Sequence, residues 1–407
     1  MSPGPRTRVS CRRGWAFVAR AGVVRPVSVY VHFPWCLKKC PYCDFNSHAT
    51  PRDEVPHAAY ADAVLAELAL RRADARDGEL VSVFFGGGTP SLWEPAALGR
   101  VLAGVRRAFV REAPGLEVTV ECNPTSLDRE RAAALRAQGV NRLSIGVQSL
   151  DPKRLEYLGR LHDPAGALAA LEAAVREMPR VSADLMFGSP GQKASDFAAE
   201  LARVLETGVR HVSAYALTIE PGTRFGELYK KGKLPIAKEE DYAETFLRAS
   251  EQLERAGFSH YEVSNHAMPG EEARHNQHYW RGGDHLGLGA GAYGCVTDAP
   301  TRGARRWRSE PIPARYLARS GTSEVTVFEE SLTPEDVVRE ALMLGLRTRE
   351  GVDLAALQTR TGIDPRAGRE DAIARCVARG ELVGTSDRLR VPREHWLALD
   401  AIVTDVF

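Results

Sequence analysis

The chain has 407 residues, of which 44% are hydrophobic and 26% charged, and its formal net charge is +1. A chain of this length folds into about two domains, each large enough for its own core. The near-neutral charge excludes a general attraction to nucleic acid. All apolar runs are shorter than the roughly 18 residues of a membrane-spanning helix, so no transmembrane segment is expected, and peripheral membrane contact stays open.

The first 27 residues contain six arginines and no acidic residue. This composition is typical of a disordered extension, of an organellar targeting segment, or of a start site placed too early. It lacks the apolar segment and small-residue cleavage site of a secretory signal. We predict a basic, disordered extension over residues 1–27 of a cytoplasmic protein, with organellar targeting as the alternative.

From Val27 to Leu217, short β-type runs alternate with amphipathic helical stretches. The six candidate strands are VSVYVHF, LVSVFFGGG, LEVTVECN, RLSIGVQS, RVSADLMFG and HVSAYALT. The intervening segments carry apolar residues at i, i+3 and i+4, which is the spacing of a helix with one buried face. Six strand–helix units in series imply a parallel sheet, because parallel neighbours need a crossover connection.

Polar or glycine-rich groups follow every candidate strand. They begin with three cysteines and continue with GGGTP, Glu121, Gln148, Asp184 and Tyr215. In a barrel all the loops that follow the strands face one site, whereas an open sheet has a single crevice. Six such strand ends favour a barrel, and we predict a partial (β/α)6 barrel of the TIM type over residues 28–235.

The pattern changes beyond the barrel. Residues 236–330 combine a long helix, the strand HYEVSN and an irregular stretch rich in Gly, His, Trp and Arg, which predicts an α+β extension. Residues 331–407 contain helical patterns and a hairpin, with Thr333 as a helix N-cap and Pro334 in the first turn, and predict a winged-helix-like domain. Its 11 basic and 13 acidic residues leave no footprint for DNA, so a structural or interaction module is expected.

Three cysteines, Cys36, Cys40 and Cys43, lie in the loop after the first candidate strand with the spacing C-x3-C-x2-C. The other four are scattered, which is unlike a secreted disulfide framework and indicates a reducing compartment. Thiolates are the ligands of iron–sulfur clusters, and three of them leave the fourth iron of a [4Fe–4S] cluster open. A Cys3His zinc site completed by His32 or His48 is the alternative.

The segment YVHFPWCLKKCPYCDF, residues 30–45, resembles the signature of the radical S-adenosylmethionine (SAM) superfamily. From about Ser28 to its end, the chain is similar to the branch that contains the heme chaperone HemW and the oxygen-independent coproporphyrinogen III dehydrogenase HemN. The shared motifs are FFGGGTPS, ECNP, SIGVQSL, LGRLHD, DLMFGSPGQ and YEVSNHA, in the family's order. The resemblance implies a [4Fe–4S] cluster held by the three cysteines, with SAM chelating the open iron.

The resemblance also assigns SAM contacts at the strand ends. GGGTP lets backbone approach a ligand closely, because glycine has no Cβ, and the family places this segment at the methionine end of SAM. A carboxylate can accept hydrogen bonds from ribose hydroxyls, and a guanidinium can pair with the SAM carboxylate. The SAM-binding residues expected on this basis are Tyr30, Gly88, Thr89, Glu121, Gln148, Arg160 and Asp184.

Two features bear on the choice between chaperone and dehydrogenase. The dehydrogenase motif has another cysteine two residues beyond the last cluster ligand, where this chain has Phe45. Five of the eleven histidines lie between His260 and His285, and HNQHYW at residues 275–280 matches the HNxxYW motif of HemW, which in that family is linked to heme binding. A neutral imidazole is a common axial ligand of heme iron, and His275 is the expected ligand.

The sequence thus predicts a heme chaperone that carries a [4Fe–4S] cluster and SAM and delivers heme to an acceptor protein. An electron donor for the cluster is a further expected partner, and nucleic acid is not. The alternative is a radical SAM enzyme of porphyrin biosynthesis, which converts propionate side chains of coproporphyrinogen III to vinyl groups with release of CO2. Enzyme activity therefore stays open, and a zinc-stabilised barrel without SAM is the third hypothesis.

Overall fold

A computed structural model of the chain describes residues 25–407, and its centre is a twelve-stranded mixed sheet. Six strands run parallel and neighbour one another in chain order. These strands are β1 (Arg25–Phe33), β2 (Gly78–Gly87), β3 (Arg111–Cys122), β4 (Arg142–Gln148), β5 (Arg180–Phe187) and β6 (His211–Ala216). The predicted α/β fold class, with its series of six parallel strands, is confirmed.

Helices connect consecutive strands and bury their apolar faces against the sheet. The helices of the barrel are α1 (His57–Leu70), α2 (Arg72–Ala75), α3 (Pro95–Ala108), α4 (Arg129–Ala137), α5 (Pro152–Tyr157), α6 (Pro164–Glu177) and α7 (Ala194–Glu206). Before α4, α5 and α6 stand Asp128, Asp151 and Asp163, whose side chains accept a hydrogen bond from the first turn. Local capping thus sets several helix starts and leaves the strand ends free to form a site.

The first strand begins earlier than predicted. Residues 25–27 pair with β2 and are therefore not part of a disordered extension. Arg25 is held there by an ion pair with Asp284, in which its Nη1 lies 2.7 Å from the carboxylate. The rest of the predicted extension, residues 1–24, lies outside the described residues.

The segment after the barrel adds strands to both edges of the sheet. Beyond α8 (Arg224–Lys230) and α9 (Glu239–Arg255), strands β7 (Ser259–Glu262) and β8 (Asn265–Ala267) continue it antiparallel next to β6. At the other edge, β9 (Asp284–Leu288) lies parallel to β1 and is followed by antiparallel β10 (Tyr293–Asp298), β11 (Gly303–Ser309) and β12 (Thr326–Leu332). The prediction of an irregular stretch here is wrong. Strand β9 forms because it pairs with β1, which lies near the start of the described residues.

Helix α10 (Arg274–Trp280) carries the motif HNQHYW and lies against the inner face of the barrel. Glu117 of β3 accepts hydrogen bonds from the backbone N–H groups of Arg274 and His275, at 3.1 and 2.9 Å. The His275 ring stacks on Phe84 of β2, with 4.9 Å between the ring centroids. Since Glu117 precedes the strand end by five residues, α10 closes the barrel from its amino-terminal side.

The C-terminal part is helical, as predicted. Its helices are α12 (Pro334–Gly345), α13 (Leu354–Thr361), α14 (Glu370–Ala378) and α15 (Leu399–Val406), and α11 (Pro313–Arg319) precedes them. A small sheet of three strands, Val352–Asp353, Val383–Gly384 and Arg388–Arg390, completes it. Thr333 caps α12, as expected. Between residues 25 and 407, no helix has the length and apolar character needed to cross a membrane.

Candidate functional site

A cavity of about 640 Å³ lies inside the barrel at the carboxyl ends of its strands. We call it the barrel cavity. Every residue that the sequence assigned to a cofactor lines it: Cys36, Cys40, Cys43, Tyr30, Gly88, Thr89, Glu121, Gln148, Arg160, Asp184 and His275. The fold therefore brings thiol, carboxyl, guanidinium and imidazole groups together in one cavity.

The glycine-rich turn after β2 holds the cysteine loop in place. The backbone N–H of Gly88 donates to Phe33 O at 2.7 Å, and that of Thr89 donates to Trp35 O at 2.8 Å. A Cβ at Gly88 would lie 2.6 Å from Trp35 O, so only glycine permits this close approach. The close approach of GGGTP is thus made to the backbone that carries the cysteines, which the sequence did not indicate.

Each of the three thiols has a hydrogen-bonding group beside it, and Cys43 Sγ lies 3.8 Å from a serine hydroxyl. Thr89 Oγ1 donates to Cys36 Sγ at 3.4 Å. Arg160 Nη1 donates to Cys40 Sγ at 3.5 Å. Burial raises the pKa of Cys36 to about 11, so a bound metal must displace the proton. Donors aimed at sulfur stabilise thiolate charge, and the set of groups fits an iron–sulfur cluster.

The spread of the cysteines bears on the choice between a cluster and zinc. A tetrahedral zinc ion holds sulfur ligands at about 2.3 Å and so brings them within about 4 Å of one another. Over residues 25–407, the one trio of Cys, His, Asp or Glu ligand atoms within 4.8 Å of each other is Cys376, Glu381 and Asp405, in the C-terminal part. His32 is already engaged, because one ring nitrogen contacts Asn46 O at 2.8 Å and the other a tyrosine hydroxyl at 3.0 Å. His32 therefore has no ring nitrogen left to complete a Cys3His zinc site.

Two half-buried carboxyl groups face the barrel cavity. Glu121 accepts a hydrogen bond from Gly87 N at 3.0 Å, and burial, reinforced by the nearby Asp184, raises the pKa of Glu121 to about 8. Asp184 accepts from Ser144 Oγ at 2.8 Å and from Ser182 Oγ at 3.0 Å, and burial raises its pKa as well. Glu121 thus exchanges a proton near neutral pH, whereas hydroxyl groups satisfy Asp184.

Gln148 and Arg160 carry signs of a binding site. Gln148 has a φ of 64°, one of two positive values among the non-glycine residues of 25–407, and strain of this kind clusters at functional sites. Arg160 Nη2 donates to Gly146 O at 2.8 Å, while its Nε is buried without a hydrogen-bond partner. A buried unpaired donor costs about 1–3 kcal/mol and is readily explained by an acceptor on a ligand.

His275 lies at the inner end of the barrel cavity and is only 9% exposed. Its Nδ1 lies 2.9 Å from Ser82 Oγ, which leaves Nε2 as the nitrogen available to the cavity. Burial lowers the pKa of His275 to about 3, so the ring is neutral. The structure does not gather the whole motif around one point: Tyr279 lines a different cavity, and Trp280 packs under Arg347.

The sequence did not identify several residues that line the barrel cavity. They are Tyr42, Phe84, Arg142, Ser144, Met186, Ser213 and Asn276. Arg142 and Ser144 are two residues apart on β4 and therefore point to the same face. A charged residue and a hydroxyl at this spacing within an apolar parallel strand, which is otherwise buried on both faces, is the signal that could have found them.

A partial parallel barrel whose first loop carries three cysteines, with glycine-rich and polar strand ends around the same cavity, defines a radical SAM protein. The radical SAM superfamily matches residues 30–204, and the HemN C-terminal domain matches residues 332–397. The heme chaperone HemW of Escherichia coli (strain K12) is 41% identical over 74% of this chain and 79% of its own length. The chain therefore belongs to the HemW family.

Further comparisons agree with this assignment. The heme chaperone HemW of Mycobacterium tuberculosis (strain H37Rv) is 38% identical over 93% of this chain and 94% of its own. A mitochondrial radical S-adenosyl methionine domain-containing protein 1 from Bos taurus is 41% identical over 80% and 74%, respectively. The solved structure of coproporphyrinogen III oxidase (HemN) from Escherichia coli has the same fold, with a TM-score of 0.77 at 22% identity, over 94% of this chain and 90% of that chain.

Proposed function

We propose that this protein is a cytoplasmic heme chaperone, which binds heme and transfers it to an acceptor protein while carrying a [4Fe–4S] cluster and SAM. The observation that carries the proposal is the position of HNQHYW on α10, where His275 presents a neutral imidazole to the cavity that the cysteines also line. Relatives named heme chaperone support it. The proposal requires two partner proteins, a heme acceptor and an electron donor for the cluster.

The residues of the barrel cavity divide between the two resident cofactors. Cys36, Cys40 and Cys43 would hold the cluster, which supplies an electron and one open iron to SAM. Arg160 would pair with the SAM carboxylate through donors that include its unpartnered Nε, and Glu121 would accept from the ribose hydroxyls. The remaining SAM contacts would come from Tyr30, Gly88, Thr89, Gln148 and Asp184.

Coproporphyrinogen III dehydrogenase is the second candidate, because its activity would use the same cluster loop and the fold matches that of HemN. The residue at the position of the dehydrogenase's additional cysteine argues against it. Phe45 stands there, 57% exposed at the rim of the barrel cavity. The chain thus has an apolar ring at its cavity mouth where the enzyme motif has a thiol.

Hemin titration of the anaerobically reconstituted protein tests the proposal. We expect a stoichiometric Soret band, and we expect His275→Ala to shift that band and to weaken heme binding at least about 10-fold, because loss of even an outer-shell partner of a metal ligand costs about 10-fold to 100-fold. His395→Ala is the matched control, because His395 lines neither this cavity nor the second one described below. An unchanged spectrum in His275→Ala would show that His275 does not ligate the heme iron.

A second assay separates the chaperone from the enzyme. The reconstituted protein is incubated with coproporphyrinogen III, SAM and a reductant, and the porphyrin products are measured. Formation of protoporphyrinogen at catalytic rates would overturn the chaperone proposal. A protein that takes up no iron and sulfide on reconstitution would contradict both candidates and leave the zinc-stabilised barrel.

SAM affinity is expected to rise with pH. Burial raises the pKa of Glu121 to about 8 in the free protein, so its carboxyl group is largely protonated at neutral pH. The sulfonium cation and hydroxyl donors of SAM favour the carboxylate, so binding releases a proton, and the association constant increases up to about tenfold per pH unit between about pH 6 and 8 and then levels off. Calorimetric titration across this range measures the slope. Glu121→Gln should flatten it, and an unchanged slope in that variant would assign the proton to another group.

A further inference from the structure

A second cavity, of about 340 Å³, lies outside the barrel where β9, β10 and β11 meet α12 and α13. We call it the outer cavity. Its volume falls within the range of small-molecule sites, about 300–1,000 Å³. It shares no lining residue with the barrel cavity, so it is not part of the cluster and SAM site.

One wall of the outer cavity is a row of three side chains on adjacent strands. His285 of β9 is paired with Cys295 of β10, and Cys295 is paired in turn with Arg306 of β11. Residues directly opposite each other on neighbouring antiparallel strands point to the same face, with their Cβ atoms about 5 Å apart. An imidazole, a thiol and a guanidinium therefore stand side by side against the cavity.

Apart from Glu340 of α12, the opposite wall and the rim are apolar and aromatic. Met343 of α12 is 47% exposed, and Tyr279 and Tyr293 are 41% and 48% exposed. The Tyr279 ring lies edge-on to His285, with 5.4 Å between ring centroids. Large apolar side chains exposed around one cavity mark a binding surface, and the space between the sheet and α12 suits a flat ligand.

The outer cavity also has donor capacity for an anionic group. Arg306 is engaged in ion pairs with Glu330 and Glu340. Arg360 of α13 donates through Nη1 to Gly282 O and its Nη2 lies 3.7 Å from Asp284 Oδ1, but its Nε is buried without a partner among residues 25–407. Arg360 thus has a buried donor without an acceptor, and a guanidinium fork matches a carboxylate.

We propose that the outer cavity is a second heme-binding site, from which heme passes to the acceptor, with His285 as the iron ligand and Arg360 as a partner of a propionate. The inference rests on the proposed chaperone function. Heme combines a flat apolar macrocycle, an iron centre and two carboxylates on one edge. The outer cavity provides an aromatic and methionine rim, an imidazole and an arginine in one place.

The position of His285 suits iron ligation. Its Nδ1 faces Gly283 O at 3.4 Å, which leaves Nε2 as the nitrogen available to the cavity. Burial lowers the pKa of His285 to about 4, so the ring is in the neutral form that binds metals.

Helix α10 connects the two cavities. Its first residues, His275 and Asn276, line the barrel cavity, while Tyr279, one turn later, lines the outer one. The barrel cavity is shared with the proposed SAM site, and His275 is almost fully buried. An acceptor protein can approach the outer cavity directly because its rim is exposed, so this is the site suited to release.

Counting hemes per chain tests the outer cavity. The full chain with its cluster in place is titrated with hemin, and ligand class is read from absorption and electron paramagnetic resonance. We expect two equivalents for the unaltered protein, one for His275→Ala and one for His285→Ala. Transfer to apomyoglobin should begin with the heme bound in the outer cavity, which is the heme that His285→Ala lacks.

A variant at the rim of the outer cavity tests the site without replacing His285, whose loss could itself disturb the fold. Met343→Glu places a carboxylate at an exposed rim position where the apolar macrocycle is expected, and should weaken the outer site about tenfold or more because the bound porphyrin would desolvate the charge. The matched controls are Leu397→Glu, at an exposed position lining neither cavity, and His395→Ala. Cluster content of each variant reports intact folding.

The outcomes separate this inference from the proposed function. An unaltered protein that binds no heme would overturn the chaperone proposal and the outer site with it. The unaltered protein could instead bind a single heme per chain. If His275→Ala loses this heme while His285→Ala and Met343→Glu keep it, the outer site alone is overturned. If Cys295→Ala loses the heme of the outer cavity and His285→Ala keeps it, the assignment of His285 as the iron ligand is overturned.

Discussion

Cys40→Ala is expected to abolish the cluster, with iron and sulfide falling from about four of each per chain to background after anaerobic reconstitution. Two thiolates, Cys36 and Cys43, would remain for four irons. The backbone of the loop does not depend on the lost side chain, since Cys43 N donates to the carbonyl oxygen of residue 40 at 3.2 Å. Arg160 loses its sulfur contact but keeps its bond to Gly146 O. The loss therefore reports ligation and not unfolding.

Cys376→Ala provides the matched control for this cluster prediction. Cys376 is a buried thiol on α14, beside an arginine as Cys40 is, but it lies in the C-terminal part, away from the barrel cavity. We expect this variant to reconstitute normally, and we expect the metal-free form of Cys40→Ala to unfold at the same temperature as the metal-free unaltered protein. Full iron content in Cys40→Ala, or uptake of one zinc ion by the unaltered loop in place of iron, would contradict the assignment.

The parts of the site that could be predicted are those set by local sequence. The cysteine spacing is a property of eight residues, and the strand–helix alternation repeats within short windows. Because parallel strands place all their carboxyl ends at one edge, locating Glu121, Gln148 and Asp184 at or near strand ends was enough to place them around one cavity, although the structure includes all three in the strands themselves. The topology of the barrel follows from a repeated local pattern, so it can be predicted from the sequence alone.

The parts that could not be predicted depend on contacts between distant segments. Strand β9 pairs with β1 across most of the chain, and no local period reports such a partner. Helix α10 has seven residues, too few for a helical period to stand out. Its position depends on Glu117, a charged residue inside a strand that resembles a surface position in the sequence. The division of HNQHYW between two cavities follows from that contact.

Glu117→Ala is expected to lower the free energy of unfolding by about 3 kcal/mol or more, because three hydrogen-bond donors lose their acceptor at a cost of about 1–3 kcal/mol each. The Glu117 side chain is fully buried and accepts from Arg180 Nη1 at 2.7 Å. The same carboxylate accepts from the first two backbone N–H groups of α10, where the positive end of the helix dipole favours negative charge. Its loss leaves Arg180 with Glu271 as its remaining ion-pair partner, at 3.1 Å, and frees the start of the helix that presents His275. Heme affinity should therefore fall, while the cluster, at the other end of the barrel, should assemble normally.

Glu112→Ala on the same strand separates this positioning effect from a general effect of losing a carboxylate. Glu112 pairs with Arg106 at the surface, and an exposed pair of this kind contributes less than about 1 kcal/mol. Denaturant unfolding gives the free energies, and hemin titration with iron and sulfide assays gives the cofactor content of each variant. Equal losses of stability in the two variants, or unchanged heme affinity in Glu117→Ala, would show that the carboxylate does not position α10. A selective loss of heme with the cluster retained is the expected result, because Glu117 reaches the heme site only through the helix whose amino end it holds.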